Sequence, residues 1–107
     1  MEKTPLLAVS LLTGNNYLAW AIKMEAILSL LKIIKAIKEE KPEENALEKT
    51  KVEWETRNQD AVAYIRLHLS DEQVLEFAAE DNACNLWLKI KKAYMGAAEN
   101  QSVIDTA

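Results

Sequence analysis

Each of the three tryptophans in this chain is followed by apolar residues at the spacing of an α-helix. The three runs are Trp20 with Met24; Trp54 with Ala61, Ile65 and Leu69; and Trp87 with Ile90 and Tyr94. Because residues three, four or seven positions apart lie on one side of a helix, each run predicts an amphipathic helix with an aromatic anchor.

The scarcity of turn residues supports the same fold class. The chain has 107 residues but only 2 Gly and 2 Pro, fewer than an all-β sandwich or barrel needs for its turns. We therefore predict an all-α fold, a compact bundle of about four to five helices. Residues 1–107 should form a single domain, in which residues 1–15 are an apolar lead-in. Residues 96–107 are predicted to be a tail or the start of a further helix.

Capping signals divide the chain into helices. The predicted helices cover residues 17–37, 45–69, about 71–78, and 83–95. Their predicted N-caps are Asn16 (or Asn15), Ser70 and Asn82. Ser70 and Gln73 have the spacing of a capping box, in which each residue hydrogen-bonds the backbone of the other. Gly96 predicts the end of the last of these helices.

The aromatic anchors and their companions are predicted to form the structural core. The set is Tyr17, Trp20, Met24, Trp54, Ala61, Ile65, Leu69, Trp87, Ile90 and Tyr94. An aromatic side chain buries about 150–250 Å². Five of them can therefore supply much of the core of a small domain, and we interpret them as packing residues, not as a ligand site.

The first predicted helix is unusually apolar. Its apolar arc spans about 200°, whereas a helix that lies on one core needs about 100°. Either this helix is central and packs on both sides, or one side faces another molecule. In the second case the candidate assembly surface is Ile22, Ala26, Ile33 and Ile37. The lead-in from Leu6 to Leu12 is a further candidate, unless it packs on the core of its own domain.

The net charge and the few reactive residues argue against nucleic-acid binding, metal binding and catalysis. The net charge is −4, and the clearest cationic cluster is Lys89, Lys91 and Lys92. A solvated helix face explains this cluster better than an RNA-contacting patch, since nucleic-acid binders usually carry a basic stripe. With one cysteine (Cys84) and one histidine (His68), neither a disulfide nor a zinc knuckle can form within the chain. We predict no enzymatic activity, cofactor or metal.

Three motifs in order resemble the N-terminal capsid region of the Gag polyprotein of copia-type LTR retrotransposons. The matching residues are Leu12, Gly14, Asn16, Tyr17, Trp20 and Met24; Trp54, Ala61, Ile65, Leu69, Ser70 and Asp71; and Ala83, Trp87 and Tyr94. Ile90 stands where that family usually has Leu. The resemblance covers about residues 11–95, and it implies a fold like that of the retroviral capsid N-terminal domain. It also implies self-assembly through hexamer and pentamer contacts.

The resemblance leads to a structural function, with one alternative. The chain is expected to self-associate into virus-like particle shells in the cytoplasm, with the rest of Gag as a further partner if the chain is a fragment. RNA would be contacted at most indirectly, and no membrane or small-molecule substrate is expected. The alternative is a domesticated Gag-derived adaptor, a helical domain that binds a partner protein or peptide in an apolar groove.

Overall fold

The predicted all-α fold is confirmed. A computed structural model describes the backbone of residues 10–106 and the side chains of residues 10–96. These residues form five helices and no strand: α1 (Tyr17–Leu30), α2 (Lys35–Lys38), α3 (Glu48–Leu67), α4 (Asp71–Glu76) and α5 (Ala83–Thr106). The first part of the lead-in, from Leu6 to Val9, lies outside the described residues.

The predicted helix over residues 17–37 is interrupted, so that prediction was wrong. Helix α1 ends at Leu30, and Lys32 has a left-handed backbone with φ 66°. The Lys32 N–H donates to the Ser29 carbonyl (3.0 Å), and the Ile33 N–H donates to the Leu28 carbonyl (2.9 Å). This pair of bonds is a Schellman motif, which ends a helix and is usually built on glycine. Because a lysine occupies the position where glycine is usual, the sequence did not indicate that the helix ends here.

The break turns the following residues inward. Ile33, Ala36 and Ile37 are buried, and α2 packs against both α3 and α5. Ile33 and Ile37 therefore cannot belong to the assembly surface predicted for them. That surface assumed a straight helix, whereas the chain changes direction at Lys32 and directs both isoleucines into the core.

A single apolar cluster joins the helices. Its buried members are Leu12, Tyr17, Trp20, Met24, Leu28, Ile33, Ala36, Ile37, Ala61, Val62, Ile65, Leu69, Ala83, Leu86, Trp87 and Ile90. At its centre the Trp20 and Trp87 rings stack with centroids 5.6 Å apart, which ties α1 to α5. Aromatic pairs of this kind contribute about 0.5–1.5 kcal/mol beyond their buried area.

The end of α3 is hydrogen-bonded to both the lead-in and α1 and so holds them next to each other. The His68 carbonyl accepts hydrogen bonds from the Leu12 N–H (3.0 Å) and from the Trp20 indole N–H (3.1 Å). One carbonyl oxygen has two lone pairs and can serve both donors. Leu12 is buried beside this junction, so the last part of the lead-in packs on its own domain.

Two of the three predicted caps are confirmed. The Gln73 N–H donates to Ser70 Oγ (3.2 Å) and the Ser70 N–H donates to Gln73 Oε1 (2.9 Å), which completes the capping box of α4. The Asn85 N–H donates to Asn82 Oδ1 (3.0 Å) at the start of α5.

Asn16 occupies the N-cap position of α1, but its side chain does not cap the helix, so that part of the prediction was wrong. Its Oδ1 accepts from the Thr13 N–H (2.7 Å), and its Nδ2 donates to the Leu11 carbonyl (2.9 Å). Both polar groups are therefore used to fold the turn that precedes the helix.

The predicted end of the last helix at Gly96 was also wrong, because α5 continues to Thr106. Gly96 does not have the positive φ of a glycine that terminates a helix. Its neighbours on the C-terminal side, Ala97-Ala98-Glu99, are strong helix formers. A glycine inside a helix costs only about 1 kcal/mol relative to alanine, which such neighbours can offset.

Candidate functional site

The outer surface of α1 is apolar although it faces solvent. Leu18, Ile22 and Leu30 are 46%, 70% and 57% exposed, and Ala26 is also exposed. These four residues follow one another at four-residue intervals and form a continuous ridge along the helix, here called the α1 face. The other side of α1 carries the buried residues of the core.

The α1 face includes two of the four residues predicted as an assembly surface, Ile22 and Ala26. Sequence periodicity did not identify Leu18 and Leu30 as members of this surface. Within the fourteen residues of α1 the only charged side chains are Lys23 and Glu25. A helix with one solvated side normally carries many more charges there, so the α1 face resembles a contact surface.

Nine of the ten predicted core residues are buried, and Tyr94 is partly buried. The Tyr94 hydroxyl accepts a hydrogen bond from Gln73 Nε2 (2.8 Å), so the capping box of α4 is also bonded to α5. Trp54 is buried but lies outside the main cluster, beside the connector that follows α2. In the described part of the chain, its indole N–H and the Nε–H of Arg57 are the buried side-chain groups without a hydrogen-bond partner.

A polar clamp that was not predicted joins α3 and α5. Asn58 is buried, its Nδ2 donates to the Asp81 carbonyl (2.8 Å), and its Oδ1 accepts from the Ala83 N–H (2.6 Å). The clamp satisfies one of the backbone donors left free at the start of α5. A signal was present, because Asn58 lies between Trp54 and Ala61 on the side of α3 that was predicted to be buried.

One of the three lysines of the predicted cationic cluster forms an ion pair within the domain. Lys89 Nζ lies 2.9 Å from Glu80 Oε1, while Lys91 and Lys92 are exposed. The hydrogen bond from Lys89 lowers the pKa of the Glu80 carboxyl most strongly, burial opposes this shift, and the Asn82 N–H and Asn85 also lower it. Lys89 is thus used within the domain, and two lysines are left for contacts with other molecules.

Cys84 and His68, the two potentially reactive residues, have the surroundings of side chains that serve packing and not catalysis. Burial raises the pKa of the Cys84 thiol, and the negative charge of Glu40 raises it further, so the thiol is protonated at neutral pH. The His68 ring stacks on Tyr64, and its Nδ1 lies 2.8 Å from the Tyr64 carbonyl oxygen. Among the described residues, no three His, Cys, Asp or Glu side chains are grouped as a metal site would require.

An apolar groove of 270 Å³ lies between the break after α1 and the second half of α3. Its lining includes Leu31, Ile33, Tyr64 and Leu67. Among the helices of the described region, none combines the length and the apolarity needed to cross a membrane. Within the described residues, the α1 face and this groove are two apolar surfaces that another molecule could contact.

Comparison with known proteins identifies no relative of this chain. No protein-family model, curated protein or solved structure matches this chain. The surfaces described above and the motif resemblance therefore carry the functional proposal.

Proposed function

We propose that this chain is a structural domain that self-associates, as a capsid-type building block of the copia Gag kind. The observation that carries the proposal is the α1 face, an apolar ridge of Leu18, Ile22, Ala26 and Leu30 in contact with solvent. The three Gag-like motifs support the same function, since all of their aromatic residues except Trp54 lie in or against the core that holds α1 in place.

The α1 face suits a second copy of itself. Ridges formed by residues four positions apart can interdigitate when two helices cross at about −50°. Full burial of a Leu or Ile side chain contributes about 1.5–3 kcal/mol. Because these side chains are already partly covered, complete burial of the three large ones contributes about 3–5 kcal/mol per copy. The loss of translational and rotational freedom on association offsets much of this gain, so the contact is weak, and it gains strength when a shell repeats it many times.

Light scattering after size-exclusion chromatography tests the proposal, over protein concentrations up to about 1 mM, where a contact of this strength is populated. We expect the mean mass to rise with concentration for the natural chain and to stay at the monomer value for Ile22→Glu. The matched control is Leu75→Glu on α4, because Leu75 is 76% exposed and belongs to neither apolar surface. Equal association of Ile22→Glu and the natural chain would refute the proposed contact.

The groove between the α1 break and α3 favours a second candidate, a helical adaptor that binds a partner helix or peptide. Its lining by Leu31, Tyr64 and Leu67 is the kind of apolar surface that receives the anchors of an amphipathic helix. A chain that remains monomeric at every concentration would favour the adaptor over the capsid function.

A further inference from the structure

The groove between the α1 break and α3 lies next to the point where the lead-in joins the domain. The Leu12 N–H donates to the His68 carbonyl (3.0 Å), and Leu67, the neighbour of His68, lines the groove. Leu12 itself is buried, so this junction is part of the packed domain. The residues that precede Leu12 therefore reach the domain at one end of the groove.

The groove is apolar and open to solvent. Leu31 and Leu67 in its lining are 38% and 73% exposed, and Tyr64 is half-buried. Among the described residues that line it, Asp60 carries the only charge. Covering such a surface with an apolar segment removes it from water, which is favourable.

The segment that precedes the junction is itself apolar. Residues Leu6-Leu7-Ala8-Val9, here called the lead-in run, lie outside the described residues and include no polar side chain. The nearest charged residues before the run, Glu2 and Lys3, have opposite signs. Recognition of the run by the groove therefore depends on apolar burial and not on charge.

The lead-in run is long enough to follow the groove. An extended chain advances about 3.3 Å per residue, so Val9 and Leu7 can lie up to about 10 Å and 17 Å from Leu12. On α3 the groove lining runs from Leu67 back to Asp60. These two residues are about 10 Å apart along the helix axis. The run can therefore cover the whole α3 side of the groove.

We propose that the lead-in run docks in the groove of its own domain, with the Leu7 and Val9 side chains as anchors. In an extended chain, side chains two positions apart lie on the same side. Leu7 and Val9 therefore enter the groove together, while Leu6 and Ala8 face outward. Leu7 and Val9 are the bulkier pair, so their burial in the 270 Å³ of the groove removes more apolar area from water.

The docked run makes the groove a covered site. A partner peptide has to displace a segment that belongs to the same chain and is therefore present at a high effective concentration. This inference goes beyond the proposed function, because it adds a means of regulating the groove of the adaptor candidate. It does not depend on the α1 contact, so either one can fail without the other.

NMR spectroscopy of the full natural chain tests the proposal, at a protein concentration below that at which light scattering detects association. We expect nuclear Overhauser contacts from the methyl groups of Leu7 and Val9 to the Tyr64 ring and the Leu67 methyl groups. Contacts from Leu7 to Leu18 instead would place the run on the α1 face and overturn the proposal. The absence of any contact between the run and the groove would also overturn it.

A mixed sample distinguishes docking within one copy from exchange between copies. Isotope-labelled and unlabelled chains are unfolded together, refolded as a mixture and measured with an isotope filter, which selects contacts between a labelled and an unlabelled copy. We expect no filtered contact between Leu7 and Tyr64. Its presence would show that the run binds a second copy, and docking within the same domain would be wrong.

Leu7→Ser and Leu6→Ser form a matched pair, since they make the same change on opposite sides of the extended run. Leu7→Ser should remove the contacts with the groove and shift the Tyr64 ring resonances, whereas Leu6→Ser should leave both unchanged. The Trp20 indole N–H, which donates to the His68 carbonyl (3.1 Å), should keep its resonance in both variants and so report a folded domain. Equal effects of the two substitutions would overturn the assignment of Leu7 as an anchor.

A substitution in the groove tests the other side of the contact. Leu67→Ser removes part of the lining, and the matched control is Leu75→Ser on α4, because Leu67 and Leu75 are similarly exposed, at 73% and 76%. We expect the contact between Val9 and the Tyr64 ring to be lost in Leu67→Ser and kept in Leu75→Ser. A contact that persists in Leu67→Ser, or that disappears in both variants, would overturn the proposal.

Discussion

Replacing Lys32 with glycine should stabilise this domain. Lys32 is the residue with positive φ that ends α1, and its side chain is exposed and makes no hydrogen bond or ion pair among the described residues. A left-handed backbone costs a residue with a Cβ atom about 1–2 kcal/mol. Glycine removes this cost but gains freedom in the unfolded chain, which offsets about 0.4–1 kcal/mol. We therefore expect a net gain of about 0.5–1 kcal/mol.

Urea denaturation followed by tryptophan fluorescence measures this gain, because the stacked Trp20 and Trp87 separate on unfolding. In a thermal scan the same gain corresponds to a rise of about 2–8 °C in Tm for a domain of this size. The matched control is Lys23→Gly, the same chemical change at an exposed site inside α1, where glycine should destabilise by about 1 kcal/mol. Destabilisation by both substitutions would refute the assignment of a strained left-handed residue at Lys32.

Substitutions at three further positions test the polar contacts by urea denaturation. Asn58→Ala should lower the free energy of unfolding by about 2–4 kcal/mol, because it removes two hydrogen bonds and leaves the buried Ala83 N–H unpaired; a loss below about 1 kcal/mol would contradict the clamp. Ser70→Ala should cost about 1 kcal/mol through the capping box of α4, and Ser70→Asp should restore most of it. Glu80→Gln should destabilise at pH 7. The folded-state pKa of Glu80 lies below its unfolded value, so the stabilisation is present above about pH 4.5 and disappears as the pH falls through the folded pKa. A difference that persists at pH 2 would contradict the role of the Lys89 ion pair.

Local signals with a fixed spacing were the most predictable part of the fold. The Ser70–Gln73 capping box and the Asn82 cap are short-range patterns whose partners lie within three residues. The periodic apolar positions of α3 likewise predicted its existence, although its observed bounds, Glu48–Leu67, are shorter than predicted. These features depend on the backbone of one helix and therefore need no knowledge of the packing.

The break after α1 and the run of α5 through Gly96 were not predictable in the same way. Both contradict the usual role of glycine at helix ends: a lysine adopts the left-handed conformation, and a glycine lies inside a helix. Lys32 tolerates its conformation because Ile33 and Ile37 are buried once the chain has turned, and that benefit arises only from tertiary packing. For the same reason, the candidate assembly surface could be identified only in part.

The stack of Trp20 on Trp87 determines when the domain can fold during synthesis. Helix α1 is made before α5, the last of the described helices, so the loop closed by this stack spans more than half of the domain. Until α5 has left the ribosome, α1 has both of its apolar sides in contact with water. On a polysome, neighbouring nascent chains therefore present these helices to one another before any copy has completed its core. A translational pause before Trp87 would lengthen that exposure, and a chaperone that binds apolar helices would have its main opportunity in the same interval.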